Sequence, residues 1–587
     1  MFFPSFLIAL VSGAAVLAAS PQNSTFQNPL IPGFHPDPSC IFVPEWDDTF
    51  FCATSSFNAF PGIPVFASKD LQNMKQIGNV LNRPTQLPGL GTTNGSTSGI
   101  WAPSIRYHNG TFYLVTTMVY DNLAFDNISR WDNIIFKTTD PYADHWSDPV
   151  HFMFEGYDTS PFWDLDGKTY IVGSHEYKVF PMIQGFEIDL ETGVSGPIMD
   201  LWPGTGGHAP EGPHMYYKDD YYYLMIAEGG TGVTHMETIA RSRNLTGPFN
   251  SNPANPILTN ANTTEYFQTV GHADIFQDSH GDWWTVALST RSGPAHVYYP
   301  MGRETILTAA KWEEGEWPIL SPVRGQETGP LPRPNKNVPG IGTWIGQPTD
   351  HLTFNPGTVL PKHFVYNRFP DTSAFTISPP GHPHNLRLIP SVLNLTTLDG
   401  LTAATPQTFV GRRQEHVEFT LNVTLDFDPK QEEEEAGITV FLSQTQHFDL
   451  GVVALSPEQA VAAGYKGDSM DNTPTLSQYV RLRTISPHSS ALGSKDTQSH
   501  PGIFSIGDND SRGIKLQIEA VNSTWYAFRY QAPSQTNWTT VGWGISSEVS
   551  GGFTGTILGM FATGNGVEGK DPAYFSDFLY AGNSSVF

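Results

Sequence analysis

Three carboxylates, Asp37, Asp158 and Glu211, open three copies of a recurring line of sequence. Brought into one pocket, such a set can hydrolyse a glycosidic bond. The mutual field of close carboxylates separates their proton affinities, so one keeps its proton while another stays ionised. Glycoside hydrolysis needs that division between a general acid and a general base. A single Asp or Glu at such a place is ordinarily a turn cap or half of a structural ion pair. Three in register across a repeat ask for more, because buried like charges are costly unless paired or at work.

The recurring line positions them. Its five copies read DPSCIFVPEWDDTFF, APSIRYHNGTFY, DTSPFWDLDGKTY, EGPHMYYKDDYYY and HADIFQDSHGDWW, opening at Asp37, Ala102, Asp158, Glu211 and His272. Each is a small or reactive residue, an apolar strand, a polar turn and an aromatic-rich second strand. The openings are 65, 56, 53 and 61 residues apart. A period this long, filled with short strands, predicts the blades of a β-propeller. The opening residues are then expected at equivalent places, where the first strand of each blade lines the central tunnel. Pro36 and Pro38 flank Asp37, and Pro210 and Pro213 bracket Glu211, stiffening the backbone that aims each carboxylate. Phe57, Phe60, Trp101, Phe162, Trp163 and Trp202 lie near openings or loops. Each is a candidate sugar platform, although singly each fits core packing better.

The chain of 587 residues is too long for one core. Charged residues make up 15% and aromatics 13%, with 55 Gly and 47 Pro, which suits a mostly-β chain. The net charge of −26 argues against nucleic acid or an anionic membrane as partner and allows a neutral sugar. Residues 1–20 read as a secretory signal peptide, although an early basic residue is missing. Twelve N-glycosylation sequons, from Asn23 to Asn583, fit a secreted, extracellular glycoprotein. The two cysteines, Cys40 and Cys52, lie symmetrically about the first predicted hairpin turn, as a disulfide or as two buried thiols.

Residues 21–320 form the expected propeller, and the Pro- and Gly-rich stretch 321–349 a linker that lies ordered across it. Residues 350–587 lose the repeat and show alternating strands such as HVEFTLNVTL, which predicts a β-sandwich. The acidic run Glu432–Glu435 reads as a solvated loop, with a calcium site as the lesser alternative. The insert 89–99 is placed to shape the site's entrance, whether by opening or closing it.

FHPDPS, YDTSPFWDLDGKTY, APEGPHMYY, VGHADIF and MGRETIL, in this order, resemble glycoside hydrolase family 43. GRRQ at 411–414 and EEEEAGITVF resemble the concanavalin-like sandwich attached to that family's β-xylosidases and arabinofuranosidases. The resemblance implies an all-β chain, a five-bladed propeller followed by a sandwich. It implies an inverting glycosidase that removes terminal α-L-arabinofuranosyl or β-D-xylosyl residues from a plant cell-wall polysaccharide or oligosaccharide. Asp37 becomes the base, Glu211 the acid and Asp158 the residue that raises the acid's pKa. Arg303 and His272, with Phe57 and Trp101, become substrate contacts. His272 is also the residue that, in some members, contacts a central calcium largely through water. Thr159 stands where other members often carry Pro. Alternatives are an endo-acting arabinanase of the same family and a non-catalytic carbohydrate-binding propeller. The related fructan-cleaving architecture is disfavoured, because its Asn-Asp-Pro, Arg-Asp-Pro and Glu-Cys signatures have no match here.

Overall fold

A computed structural model describes residues 23–93, 95–396, 406–466, 476–487, 502–507 and 510–584. The expected signal peptide and the sequons at Asn94 and Asn509 lie outside them. The chain is all-β: a five-bladed propeller, then a sandwich. The innermost strands of blades 1 to 5 are Ser39–Val43, Gly99–His108, Gly156–Trp163, Glu211–Lys218 and Phe267–Gln277. Each begins at one end of the tunnel and runs away from it, so the starts of all five strands converge. Aromatic and branched residues fill the spaces between blades. Ile77 and Phe51 of blade 1 share one cluster with Ile105, Leu114 and Phe136 of blade 2. Phe50 and Phe66 of blade 1 meet Trp284, Val286 and Leu307 of blade 5 and so close the ring. Each such side chain contributes roughly 1.5–3 kcal/mol when removed from water.

Cys40 and Cys52 face each other in the first hairpin and form a disulfide. After blade 5 the chain is ordered along the propeller. Gln326–Gly329 pairs with the leading strand Ser24–Gln27, and Thr343–Trp344 adds a fifth strand to blade 1.

Among the described residues the sandwich packs two eight-stranded sheets over an apolar core, one strand of the second being lent by the propeller. In Phe419–Asp426 the inward Leu421, Val423 and Leu425 alternate with half-exposed Thr420, Asn422 and Thr424. The acidic run departs from the expected solvated loop. Glu432 is exposed, but Glu434 and Glu435 are buried. Glu435 is paired with Arg481 and Arg483 at 2.8 and 2.9 Å, and Glu434 accepts from the backbone of Lys570 and Asp571. Buried carboxylates survive where cations and donors surround them. Four glutamates in a row could not reveal those partners, which lie at least 46 residues away.

The two domains share a sheet. Ala59–Phe60, a short strand in blade 1, pairs with Phe364–Asn367 at the sandwich edge. A Cβ on Gly302 would meet the Thr554 carbonyl at 2.4 Å, so the contact around residue 303 is close-packed.

Candidate active site

Left-handed backbone marks the ring where the blades converge. Asp37, Ala102, Asp158 and His272 have φ of 52, 33, 55 and 53°. Non-glycine residues seldom adopt this conformation, and it recurs at functional sites. In blades 2, 3 and 5 it accompanies a break in register before the innermost strand resumes pairing, a bulge that re-aims side chains toward the axis. In blade 4 the equivalent residue is not Glu211 but Gly212, with φ 59° and the same break in register. The expected equivalence of the five openings therefore fails at Glu211 by one residue. Glycine stands at the axial place because a Cβ there would lie 3.0 Å from the His272 ring.

Glu211 belongs to a second ring, one residue earlier in each blade: Trp101, Tyr157, Glu211 and Gly271 in blades 2 to 5. The first three touch in turn. Trp101 packs edge-on against Tyr157 with ring centres 5.7 Å apart, and the Tyr157 hydroxyl donates to Glu211 Oε2 at 3.4 Å. The acid candidate thus sits on the rim ring, while Asp37 and Asp158 sit on the axial ring below.

All three carboxylates line one cavity of about 380 Å³ together with Phe57, Trp101, His272 and Arg303. Of the six aromatics singled out in the sequence, only Phe57 and Trp101 are there. Phe60 packs against Phe369, Trp163 stacks on His108, and Phe162 and Trp202 belong to the core between blades 3 and 4. Thr159, the departure from the family pattern, is buried in its strand with its methyl group toward Gly173.

Asp37 is held on both oxygens. Arg303 donates to Oδ1 at 2.9 Å and to Oδ2 at 3.4 Å, and the Ser55 hydroxyl donates to Oδ2 at 2.6 Å. The Gly212 N–H donates to Asp158 Oδ2 at 3.0 Å, so the peptide that follows Glu211 is tied to its neighbouring carboxylate. Burial, the charge of Glu211 and that of Asp37 raise the Asp158 carboxyl well above the usual range, against the pull of Gly212 N–H and Arg303. Burial and the Asp37 charge raise Glu211 to about 7, partly opposed by Arg303 and Tyr157. The field between Asp158 and Glu211 is mutual, so the two hold on to a proton as a pair.

The floor is closed. Two residues beyond the axial ring come Ser39, Ser104, Ser160, His214 and Asp274. Arg106 lies among them, donating to Asp274 at 2.8 and 3.1 Å and to His214 Nδ1 at 2.9 Å. Ser39 also donates to Asp274, at 2.7 Å. Burial first, with the Arg106 charge adding, lowers His214 to about 3, leaving it a neutral acceptor.

These residues do not fit a resident calcium ion. His272 offers one ring, whose Nδ1 lies 3.8 Å from Asp37 and 3.9 Å from Asp158. Asp37 is already engaged by Arg303 and Ser55, and the Arg106 guanidinium puts a fixed positive charge in the next layer. Among the described residues no group of three or more His, Cys, Asp or Glu is arranged to hold a metal. Calcium prefers six to eight oxygens.

The wall also contains residues that the sequence did not suggest. Tyr157 was legible in principle, standing directly before Asp158. Phe553 was not, since it arrives from the sandwich. Its ring lies 6.3 Å from Phe57 and 5.8 Å from Trp101, and its carbonyl accepts from Arg303 Nε at 3.1 Å. The insert's residues 96–97 add to the wall: Thr97 lines the cavity, its carbonyl accepts from Trp101 Nε1, and Ser96 bonds the Gln444 amide of the sandwich at 2.8 Å. Phe553→Ala is expected to raise KM severalfold while changing kcat less, since it removes an apolar wall and no reacting group. Steady-state kinetics on an aryl pentoside checks this.

The family model for Glycosyl hydrolases family 43 matches residues 26–318, and that for the Beta xylosidase C-terminal Concanavalin A-like domain matches 352–581. A non-reducing end α-L-arabinofuranosidase of Bacteroides ovatus is 35% identical over 97% of this chain and 98% of its own. A xylosidase/arabinosidase of Butyrivibrio fibrisolvens is 32% identical over 94% and 98%. Among solved structures, the Bacteroides ovatus xyloglucan PUL GH43B superposes with a TM-score of 0.77 at 32% identity, covering 95% of this chain and 99% of its own. Propeller, sandwich, converging carboxylates and full-length similarity agree: this chain is a glycoside hydrolase and belongs to glycoside hydrolase family 43.

Proposed function

We propose that the protein is a secreted, inverting exo-glycosidase that releases a terminal α-L-arabinofuranosyl or β-D-xylosyl residue from plant arabinoxylan or xylo-oligosaccharides. The observation that carries the reading is the shape and content of the cavity. Asp37 and Asp158 from the axis and Glu211 from the rim converge in one pocket whose floor is closed by Arg106 and whose wall is completed by Phe553. A chain end fits such a pocket better than the middle of a polymer, which favours exo over endo action. The names of the Bacteroides ovatus and Butyrivibrio fibrisolvens relatives support the pentose.

In this mechanism Asp37 takes a proton from a water, whose oxygen attacks the anomeric carbon from the face opposite the leaving group. Glu211 gives its proton to the departing oxygen as the glycosidic bond breaks. Asp158 shares a proton with the acid, the two carboxyls holding it as a pair, and orients the acid's backbone through Gly212 N–H. Arg303 orients Asp37 and reaches sugar hydroxyls, with Thr231 beside it. Phe57 and Trp101 pack on the sugar's C–H faces, and His272 contacts the ring from the axis. Inversion needs base and acid roughly 6.5–9.5 Å apart, room for the water. Secretion rests on the apolar N-terminus, the disulfide and the sequons. Of the ten sequon asparagines described, Asn394 and Asn422 are half-buried and the other eight exposed.

Proton NMR of the first-formed sugar during hydrolysis tests the stereochemistry, with the inverted anomer expected first. Product analysis on arabinoxylan beside xylo-oligosaccharides should give free pentose from chain ends. Mid-chain oligosaccharide products would overturn exo action.

A further inference from the structure

His235 is buried directly behind the acid candidate, and neither the family resemblance nor the mechanism above uses it. It directly precedes the third strand of blade 4, Met236–Ser242, whose neighbouring strand pairs with the one carrying Glu211. Its Nδ1 lies 3.0 Å from the Thr269 carbonyl. A carbonyl can only accept, so Nδ1 carries the hydrogen and Nε2 presents a bare lone pair. Burial above all, with His272 and Arg303 adding, lowers His235 to about 3, so the ring is neutral. Nε2 has no hydrogen-bond partner among the described residues, and the side chain is fully buried. It points at Glu211 Oε1, 3.8 Å away.

The fold makes room for this ring deliberately. A Cβ on Gly271 would lie 2.7 Å from His235 Nδ1 and Cε1. Gly271 is the blade-5 member of the rim ring whose other members are Trp101, Tyr157 and Glu211. Where those blades place a side chain at the rim, blade 5 places none there, and the imidazole from blade 4 packs against its glycine. A buried unpaired acceptor is costly, and a structural histidine would be expected to satisfy both nitrogens. This one keeps a lone pair against a carboxyl that must hold a proton.

We propose that His235 is the positioning residue of the general acid: its Nε2 accepts the hydrogen bond of protonated Glu211 and holds that carboxyl loaded until the leaving oxygen arrives. The proposal rests on the acid role given to Glu211. The contact is longer than a hydrogen bond here, and such contacts tighten when substrate closes the site. It acts in both protonation states. Protonated Glu211 gains an acceptor, whereas ionised Glu211 faces a second lone pair. The same carboxyl also faces Asp37, Asp158, Glu176, Tyr157 and Arg303, and His235 faces Asp37, His272 and Arg303. Among the described residues none of these accepts a hydrogen bond from Oε1, and Tyr157 is a donor to Oε2.

The test is His235→Asn, whose shorter amide can still donate toward Thr269 but no longer reaches Glu211, with His235→Phe as a second variant that keeps the ring volume. The alkaline limb of kcat/KM should move down by about half to one pH unit, the equivalent of one net hydrogen bond. At pH 7 the loss should be severalfold greater on a methyl pentoside than on the 4-nitrophenyl pentoside of the same sugar, because a poor leaving group needs the proton. Circular dichroism confirms folding, and either folded variant decides the matter. An unmoved limb, or an equal loss on both substrates, overturns the proposal. Glu211→Gln in parallel separates the two ideas: if it discriminates between the leaving groups and the His235 variants do not, only the role of His235 falls. If Glu211→Gln does not discriminate, the acid role itself falls.

Discussion

Glu211→Gln is expected to lower kcat on alkyl pentosides by about 10²–10⁴-fold, the usual worth of a positioned proton donor. Aryl pentosides with acidic leaving groups should lose far less, since their oxygen departs without help. The geometry argues for this asymmetry. Glu211 lines the cavity from the rim ring, its carboxyl raised to about 7 by burial and by Asp37. It is therefore loaded in mildly acidic solution and empties as the pH passes 7, which sets the alkaline limb of activity. The same shift acts on stability. The folded chain binds this proton more tightly than the unfolded chain, so the contribution is fully present below about pH 4.5 and is lost as pH rises through about 7. Glutamine cannot titrate, so the variant's thermal midpoint should fall less than the parent's across that window. Kinetics on paired leaving groups and melting curves from pH 4.5 to 7 check both. Equal activity of the variant on alkyl pentosides would remove Glu211 from the mechanism.

Asp37→Asn should lower turnover by a similar factor of about 10²–10⁴, but evenly across leaving groups, because every substrate needs the same activated water. Asparagine keeps the shape, and its single carbonyl oxygen can accept from Ser55 or Arg303 but not replace the charge. Arg303 is buried and loses the counter-ion that it meets at 2.9 Å. Removing one partner of a buried pair costs about 3–5 kcal/mol, so a lower melting temperature should accompany the loss of activity. The contrast between the two variants is the informative result: leaving-group dependence at Glu211, none at Asp37. Full turnover by Asp37→Asn on any pentoside would reject its role as base.

Much of the fold could be read from local pattern. The repeated strand–turn–strand line announced blades, because side-chain alternation and Asp/Gly/Asn turns are properties of neighbouring residues. The placement of Asp37 and Asp158 at the axis was legible for the same reason. Glu211 was found as a site residue but put in the wrong ring. Spacing along the chain does not register the bulges at the strand starts of blades 2 to 5, and the left-handed conformation at Gly212, rather than the carboxylate, marks the equivalent place. Aromatics near openings were ambiguous, since a ring that packs between blades and one that lines a cavity look alike in sequence. Only Phe57 and Trp101 among them reached the cavity.

The sequence by itself determined the blade count, the two-part all-β architecture and the three carboxylates, because short-range periodicity and residue chemistry carry that information. Tertiary structure alone decided the division into axial and rim rings, the Arg106 floor, the Phe553 wall and the His235 ring seated over Gly271. Each joins residues from different blades or domains, as Phe553 and Arg303 do across 250 positions. Contacts of that kind follow from how the strands twist and pack, and no local pattern of residues encodes them.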